Sequence, residues 1–262
     1  MLAGMPGNMA TAAMGVLEQQ EDMNLVLFAL TGSREKGSSY GRIRLVTPDS
    51  HKFTLSEIKA NHPDLIVVDY SKARIEDQAR LYTEAGVPFV YGGTIGDRIV
   101  AEGLVSASDI SAVIAPNMSR QIVAWTSALE YLAREFPGAF DGYNGHVTES
   151  HQRTKKDPSG TGRAWTGILE NLGIDFDEVE SVREPEVQKN RLGVPEGSLN
   201  GHAYHWVDIS TPNGNVAIGF YAKVNGRQTY ADGTPDAVRY LNRTMQSGAR
   251  GKVFSMVDVL RG

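Results

Sequence analysis

Cysteine is absent from this 262-residue chain, which excludes disulfide bonds, thiolate metal sites and a cysteine nucleophile. Long apolar runs are missing as well. The longest, such as Leu25 to Leu30 and Leu65 to Val68, are strand-sized and far short of the roughly 20 residues that span a bilayer, so no membrane association is expected. No basic start followed by an apolar core reads as a secretory signal. The chain also lacks an excess of positive charge. A net charge of −5 with no long basic block argues against a nucleic-acid partner. Internal repeats and low-complexity tracts are not found. What remains, 41% apolar and 22% charged residues, is ordinary globular composition, and the length suffices for one large domain or two moderate ones, each with its own core. The expected location is the cytoplasm or, for a plant source, the plastid stroma after removal of a transit peptide.

The chain opens with a glycine turn, Gly4-Met5-Pro6-Gly7-Asn8-Met9, followed by a helical pattern with Met9, Ala13, Val16 and Leu17 on one side. Glycines permit a tight strand-to-helix turn and close backbone approach to a pyrophosphate, which then rests on the helix N-terminus. Taken alone the pattern is weak, since a simple turn has the same glycines. Only about three residues precede it, so the first strand is either very short or lacks a few residues.

Strand-like runs follow at Asn24 to Leu30, Leu65 to Tyr70, Pro88 to Tyr91 and Ala112 to Ala115, with helical spacing over Ser71 to Ala85 and Asp97 to Ser106. Such alternation predicts a mostly parallel, doubly wound sheet whose ligand lies at the carboxyl ends of the strands. After the second run come Thr31, Ser33 and Arg34, where an NAD-preferring site usually places an acidic residue. Small hydroxyls and an Arg suit a 2′-phosphate, so NADPH is expected over NADH, although Glu35 nearby keeps the preference open. Asp69-Tyr70-Ser71, Gly92-Gly93-Thr94 and Ala115-Pro116-Asn117-Met118 follow the later runs and complete the candidate cofactor loops.

Ser119 to Phe136 reads as a connecting helix ended by Pro137-Gly138. Beyond it the pattern turns to strands at Gly145 to Glu149, Ser181 to Val187, Gly201 to Ser210 and Asn215 to Val224, with Thr211-Pro212-Asn213-Gly214 as a hairpin turn and a helix over Pro158 to Leu172 stopped by Gly173. Thr234 to Gln246 is helical, and Val253 to Leu260 is a closing apolar segment. In the middle stands Glu149-Ser150-His151-Gln152-Arg153-Thr154-Lys155-Lys156-Asp157-Pro158-Ser159-Gly160-Thr161-Gly162. Asp157 suits a helix N-cap and Pro158 the first helical position, which places Ser159, Gly160 and Thr161 in a first turn able to hold an anion. His151 adds a group that titrates near neutrality, and Lys155 a fixed positive charge.

Among the other histidines, His202 and His205 lie three apart on one strand and so face opposite ways, which disfavours a zinc site; no metal is expected. His146 is taken as structural, and Trp125, Trp165 and Trp206 as core or interface.

The motif Glu-Ser-His-Gln-x-x-Lys-x-Asp-x-Ser-Gly-Thr resembles the signature of the 4-hydroxy-tetrahydrodipicolinate reductase (dihydrodipicolinate reductase) family. It is closer to the plant-type branch, since the bacterial branch usually has a second His at Gln152 and one more residue between Asp and Ser. The resemblance implies an α/β fold: a Rossmann-like, doubly wound, mostly parallel nucleotide domain over 1–122 and 228–262, and an α+β substrate domain over 123–227 with a mainly antiparallel sheet. It implies NAD(P)H as cofactor, His151 as proton donor assisted by Lys155, and Gln152, Ser159, Gly160 and Thr161 as holders of a small cyclic dicarboxylate. It also implies a homo-oligomer, usually a tetramer. Gly93 and Met118 depart from the family's usual Thr and aromatic. Two alternatives stay open, a dehydrogenase for another amino-dicarboxylate such as aspartate, and a reductase-like protein that has lost catalysis and serves in assembly.

Overall fold

The structure is a computed structural model that describes residues 1–33, 37–155 and 160–262. The chain runs β1 (Leu2–Ala3), α1 (Asn8–Leu17), β2 (Phe28–Leu30), β3 (Ser39–Tyr40), β4 (Ile43–Val46), α2 (His51–Asn61), β5 (Val67–Asp69), α3 (Ile75–Glu84), β6 (Phe89–Tyr91), α4 (Arg98–Ser106), β7 (Ala112–Ile114) and α5 (Arg120–Glu135). It continues through β8 (Tyr143–His151), α6 (Gly160–Glu170), β9 (Ile174–Phe176), β10 (Glu180–Val182), α7 (Pro185–Asn190), β11 (His202–Ser210) and β12 (Ala217–Asn225). It ends with α8 (Gln228–Asp232), α9 (Thr234–Gln246), β13 (Val253–Phe254) and α10 (Met256–Arg261). Two compact units result: Met1–Val123 with Gln228–Gly262, and Ala124–Arg227.

The first unit is an eight-stranded sheet in the order β13-β7-β6-β5-β1-β2-β4-β3, parallel except where β3 meets β4. Its strands are two to four residues long and mostly buried on both faces, which is why they read as short apolar runs rather than alternating ones. Successive residues still part company. Leu2, Val68, Val90 and Val113 face the layer of α1, α9 and α10, meeting Ala13, Leu241 and Met256. Ala3, Val67, Phe89 and Ala112 face α2, α3 and α4, meeting Leu55, Tyr82 and Val105. Each fully buried large side chain contributes about 1.5–3 kcal/mol relative to exposure. The order turns back at β1, which has β2 on one side and β5 on the other. Ligand crevices open at such a switch point.

One expectation needs correction here, and two stretches gain detail. The run from Asn24 becomes a strand only at Phe28, because its neighbours β1 and β4 offer partners for Phe28, Ala29 and Leu30 alone. The segment β3, β4 and α2 was not anticipated; Ile43, Leu45 and Val46 carry its apolar signal, but Arg44 and the brevity of the run conceal it. Val253 to Leu260 divides into a two-residue strand and a helix. Ser255 forms a capping box there, its Oγ accepting from the Asp258 amide (3.3 Å) while the Asp258 carboxylate accepts from the Ser255 amide (2.7 Å).

The second unit carries a five-stranded sheet in the order β10-β8-β11-β12, with β9 also on β8. The long pairs β8–β11 and β11–β12 are antiparallel, whereas β9 and β10 run parallel to β8. The run expected as one strand from Ser181 to Val187 stops at Val182. Pro185 lacks the N–H a ladder needs and occupies the first turn of α7 instead. Helix α6 buries Trp165 and Leu169, and Gly173 beyond it has the left-handed φ of +93° expected of a helix stop. The Asp157 cap and the Pro158 start lie outside the described residues.

Candidate active site

In the first unit the candidate residues collect at the carboxyl ends of five strands, and most of what they present is backbone. Gly4 has φ +93°, and a Cβ there would lie 2.6 Å from the Ser71 nitrogen, so the turn after β1 presses on the loop after β5. Met5 is buried, while Pro6, Gly7 and Asn8 are exposed and Met9 half-buried. Helix α1 begins after Gly7 with no side-chain cap and no acidic residue in its first turn. Its first amides and the positive end of its dipole therefore suit a phosphate, and the residues present fit a dinucleotide.

The other loops are tied from within. Thr31 is buried and its Oγ1 accepts from the Ser33 amide (3.2 Å), which leaves Ser33 exposed at the loop surface; Arg34 lies outside the described residues. The Asp69 side chain is fully buried and accepts from the Ser71 amide (2.6 Å), Gln78 Nε2 (2.7 Å) and Tyr82 OH (2.7 Å), so it shapes the Ser71 loop instead of facing a ligand. The Tyr70 hydroxyl lies 2.6 Å from Thr234 Oγ1 and donates to Met118 Sδ (3.1 Å), and burial pushes its pKa up to about 12. Gly92 and Gly93, expected to admit a cofactor, admit the protein's own rings. A Cβ on Gly92 would sit 2.3 Å from Tyr70 Cε1, and one on Gly93 2.4 Å from the Tyr91 hydroxyl. Thr94 and Pro116 are exposed, Ala115 and Met118 buried, and the half-buried Asn117 accepts from the Ser119 amide through Oδ1 (2.9 Å).

In the second unit the site is made of side chains. His151 is the last residue of β8, and its register with β11 sets Ala203 opposite it and His205 opposite Glu149. Glu149, His151 and His205 therefore share one face of the sheet, covered by Trp165 of α6. The His151 and His205 rings meet edge to face with centroids 5.1 Å apart, and His151 Nδ1 lies 3.8 Å from Glu149 Oε2. The Glu149 carboxylate is fully buried and accepts through Oε1 from Arg183 and from Ser181 Oγ (2.9 Å).

Arg183 also donates from Nε to the Lys155 carbonyl (3.0 Å), fastening the motif loop to the sheet. Gln188 of α7 donates to the His151 carbonyl (2.7 Å) and holds the end of β8. Gln152 and Lys155 are half-buried, Gly160 opens α6 in an exposed position, Thr161 follows half-buried, and Ser159 lies outside the described residues.

Burial and then the neighbouring His205 hold the His151 imidazole at about 3, with Lys155 and Arg183 adding to the depression and Glu149 opposing it. Burial likewise lowers His205 to about 4. Both rings are neutral near pH 7 until an added negative charge favours the imidazolium. His202 does point to the other face, where its Nε2 lies 2.8 Å from Ser150 Oγ. One ligand atom each from Glu149, His151 and His205 lies within 4.8 Å of the others. The sequence offered one clue, because Glu149 stands two residues before His151 on a strand and must share its face. His205, Arg183 and Gln188 gave none, since only the pairing of β11 and β10 with β8, and the turn from β10 into α7, bring them in. His146 is half-exposed and pairs with Asp177, Trp165 is core, and Trp125 is exposed against Phe220.

Residues 1–118 match the family described as dihydrodipicolinate reductase, N-terminus, and residues 122–260 the one described as dihydrodipicolinate reductase, C-terminus. The chain is 38% identical over 268 residues to 4-hydroxy-tetrahydrodipicolinate reductase 1, chloroplastic, of Arabidopsis thaliana, which takes in all of this chain and 77% of that protein. It is 43% identical over 217 residues to the probable reductase 1, chloroplastic, of Oryza sativa subsp. japonica, 82% of this chain and 63% of the rice protein. The fold is shared with a dipicolinate-bound dihydrodipicolinate reductase from Paenisporosarcina sp. TG-14, at TM-score 0.66 and 16% identity over 97% of this chain and 96% of that one. No helix among the described residues is long and apolar enough to cross a membrane. With both family halves matched in order and close relatives along its whole length, the chain belongs to the dihydrodipicolinate reductase family of oxidoreductases.

Proposed function

We propose that this enzyme reduces 4-hydroxy-tetrahydrodipicolinate, or its dehydrated form, to tetrahydrodipicolinate in lysine and diaminopimelate biosynthesis, with the proton delivered by His151. The observation that carries this reading is the buried imidazole at the end of β8, set against a clamped carboxylate and followed by the Lys155 loop. Reduction of a polarised double bond takes a hydride and a proton, and a bound nicotinamide dinucleotide supplies the hydride. NADPH is the preferred form, on the strength of Thr31, Ser33 and Arg34. The turn from Gly4 to Met9 and the amides of α1 hold its phosphates, while Ser71, Thr94 and Asn117 line the remainder of its site.

The substrate carboxylates are held by Lys155, Gln152 and the Ser159-Gly160-Thr161 turn. Their negative charge offsets the burial that keeps His151 neutral and raises its proton affinity toward the working range. Glu149 Oε2 lies 3.8 Å from Nδ1, beyond hydrogen-bond reach, and its negative charge adds to that of the substrate in favouring the imidazolium. For a plant source the compartment is the plastid stroma, as the names of the rice and Arabidopsis relatives indicate. The test is turnover and NADPH affinity measured together. His151→Ala and Lys155→Ala should each lower kcat by about 10²–10⁴-fold with dinucleotide binding nearly unchanged, and full turnover in both variants would remove the assignment.

A further inference from the structure

The cluster on the covered face of β8 and β11 contains more donor chemistry than proton transfer uses. His151 Nδ1 and His205 Nε2 are buried and have no hydrogen-bond partner among the described residues. Burying a polar nitrogen without a partner is costly, so two of them side by side call for a ligand that takes lone pairs. Residues 151 and 205 are 7% and 3% exposed, so water does not screen either ring from outside. The third member is an acid. Glu149 gives Oε1 to Arg183 and Ser181, and turns Oε2 toward His151. Two imidazoles and one carboxylate form a donor set of the kind that binds zinc with a fourth position left for water or substrate.

We propose that Glu149, His151 and His205 bind one divalent transition-metal cation of the zinc and cobalt class. Ligand atoms around such an ion stand roughly 3.4 Å apart, as follows from metal–ligand distances of about 2.0–2.2 Å in a tetrahedron. The cluster, already within 4.8 Å, reaches that spacing by side-chain rotation. The charges of Arg183 and Lys155 oppose a cation, which sets this site apart from one built to retain its metal. The ion competes with a proton for His151 Nδ1. Where His151 is the proton donor of the reaction, its occupancy stops turnover; that consequence rests on the proposed function, whereas binding does not.

The experiment takes the full chain, freed of metal by a chelator, and titrates it with Co²⁺. A saturable visible absorption band at one equivalent is expected. X-ray absorption of the Zn²⁺-loaded protein should show nitrogen and oxygen ligands at about 2.0–2.2 Å with the scattering pattern of two imidazoles. His205→Gln should weaken Co²⁺ binding by at least about 10-fold, since even outer-sphere changes cost that much. His146→Ala removes the competing surface group beside Asp177 and Glu180 and should leave binding unchanged. The proposal is overturned if the wild-type chain shows no band saturating at one equivalent, if that band disappears in His146→Ala, or if folded His205→Gln binds as tightly as wild type. Should His205→Gln fail to fold, the imidazole count in the wild-type protein decides. Turnover is read separately. Metal bound at one equivalent with turnover intact would keep the site and remove His151 from proton transfer.

Discussion

In the unit formed by residues 1–123 and 228–262, the loops after the strands are held from within, Asp69, Tyr70 and Met118 tying them and Gly4, Gly92 and Gly93 packing on neighbouring backbone and rings, and the uncapped first turn of α1 is what they offer a ligand. In the unit formed by residues 124–227 the arrangement is reversed. Three titratable side chains from two strands meet on one face, and an arginine just beyond the end of a third strand fixes one of them. Backbone suits a cofactor recognised by its phosphates, because amides at a helix start need no particular side chain. A proton donor needs a side chain of tuned affinity, and tuning takes neighbours from elsewhere in the chain.

The contrast can be broken most sharply by exchanging what each unit loses. His151→Ala, with its loss of about 10²–10⁴-fold in kcat, should leave dinucleotide affinity alone; an equal fall in both would show that the units do not divide the work in this way. Arg183→Met comes next. It takes the guanidinium from the buried Glu149 carboxylate, and denaturant unfolding should show a loss of about 3–5 kcal/mol, whereas a loss under about 1 kcal/mol would mean that the remaining partners, the Ser181 hydroxyl among them, suffice.

Gly4→Ala attacks the other unit through its backbone. A residue forced to φ +93° costs about 1–3 kcal/mol, and the added Cβ meets the Ser71 backbone, so calorimetry should show reduced stability together with weakened dinucleotide binding and an unaltered His151 environment by NMR. The buried histidines of the second unit should also respond to acid. His151 and His205 titrate in the folded state at about 3 and 4, below the ordinary 6.5, so the unfolded chain binds more protons between those values. Their contribution is complete above pH 6.5 and is lost as the pH falls from there toward about 3, which thermal melts across that interval should show, with a flatter profile in His205→Gln. The smallest effect belongs to His146→Ala. This residue is on β8 like His151 but on the half-exposed face, paired with Asp177, and its removal should change stability by less than about 1 kcal/mol and turnover hardly at all.

Much of the first unit was legible because its information is local. A glycine turn before an amphipathic helix and apolar runs bounded by turn residues announce a parallel sheet whichever strands finally pair. Its failures were local too. Arg44 hid β4, Pro185 ended a strand that Val182 and Val187 seemed to continue, and Gly92 and Gly93 have the rings of Tyr70 and Tyr91 as their reason. The motif from Glu149 to Gly162 announced chemistry, but it named only members that are close in sequence.

The amino-acid order alone determined which groups this protein has to work with: an imidazole and an ammonium four residues apart, a glycine turn ahead of α1, and no thiol anywhere. Only the tertiary structure decided what surrounds the imidazole. The register of β8 with β11 set His205 beside His151, and the pairing of β10 with β8 delivered Arg183 to Glu149. A strand dictates which face its own residues take, but its neighbour and the register are chosen by burial summed over the whole sheet, and that sum is not written in any one segment.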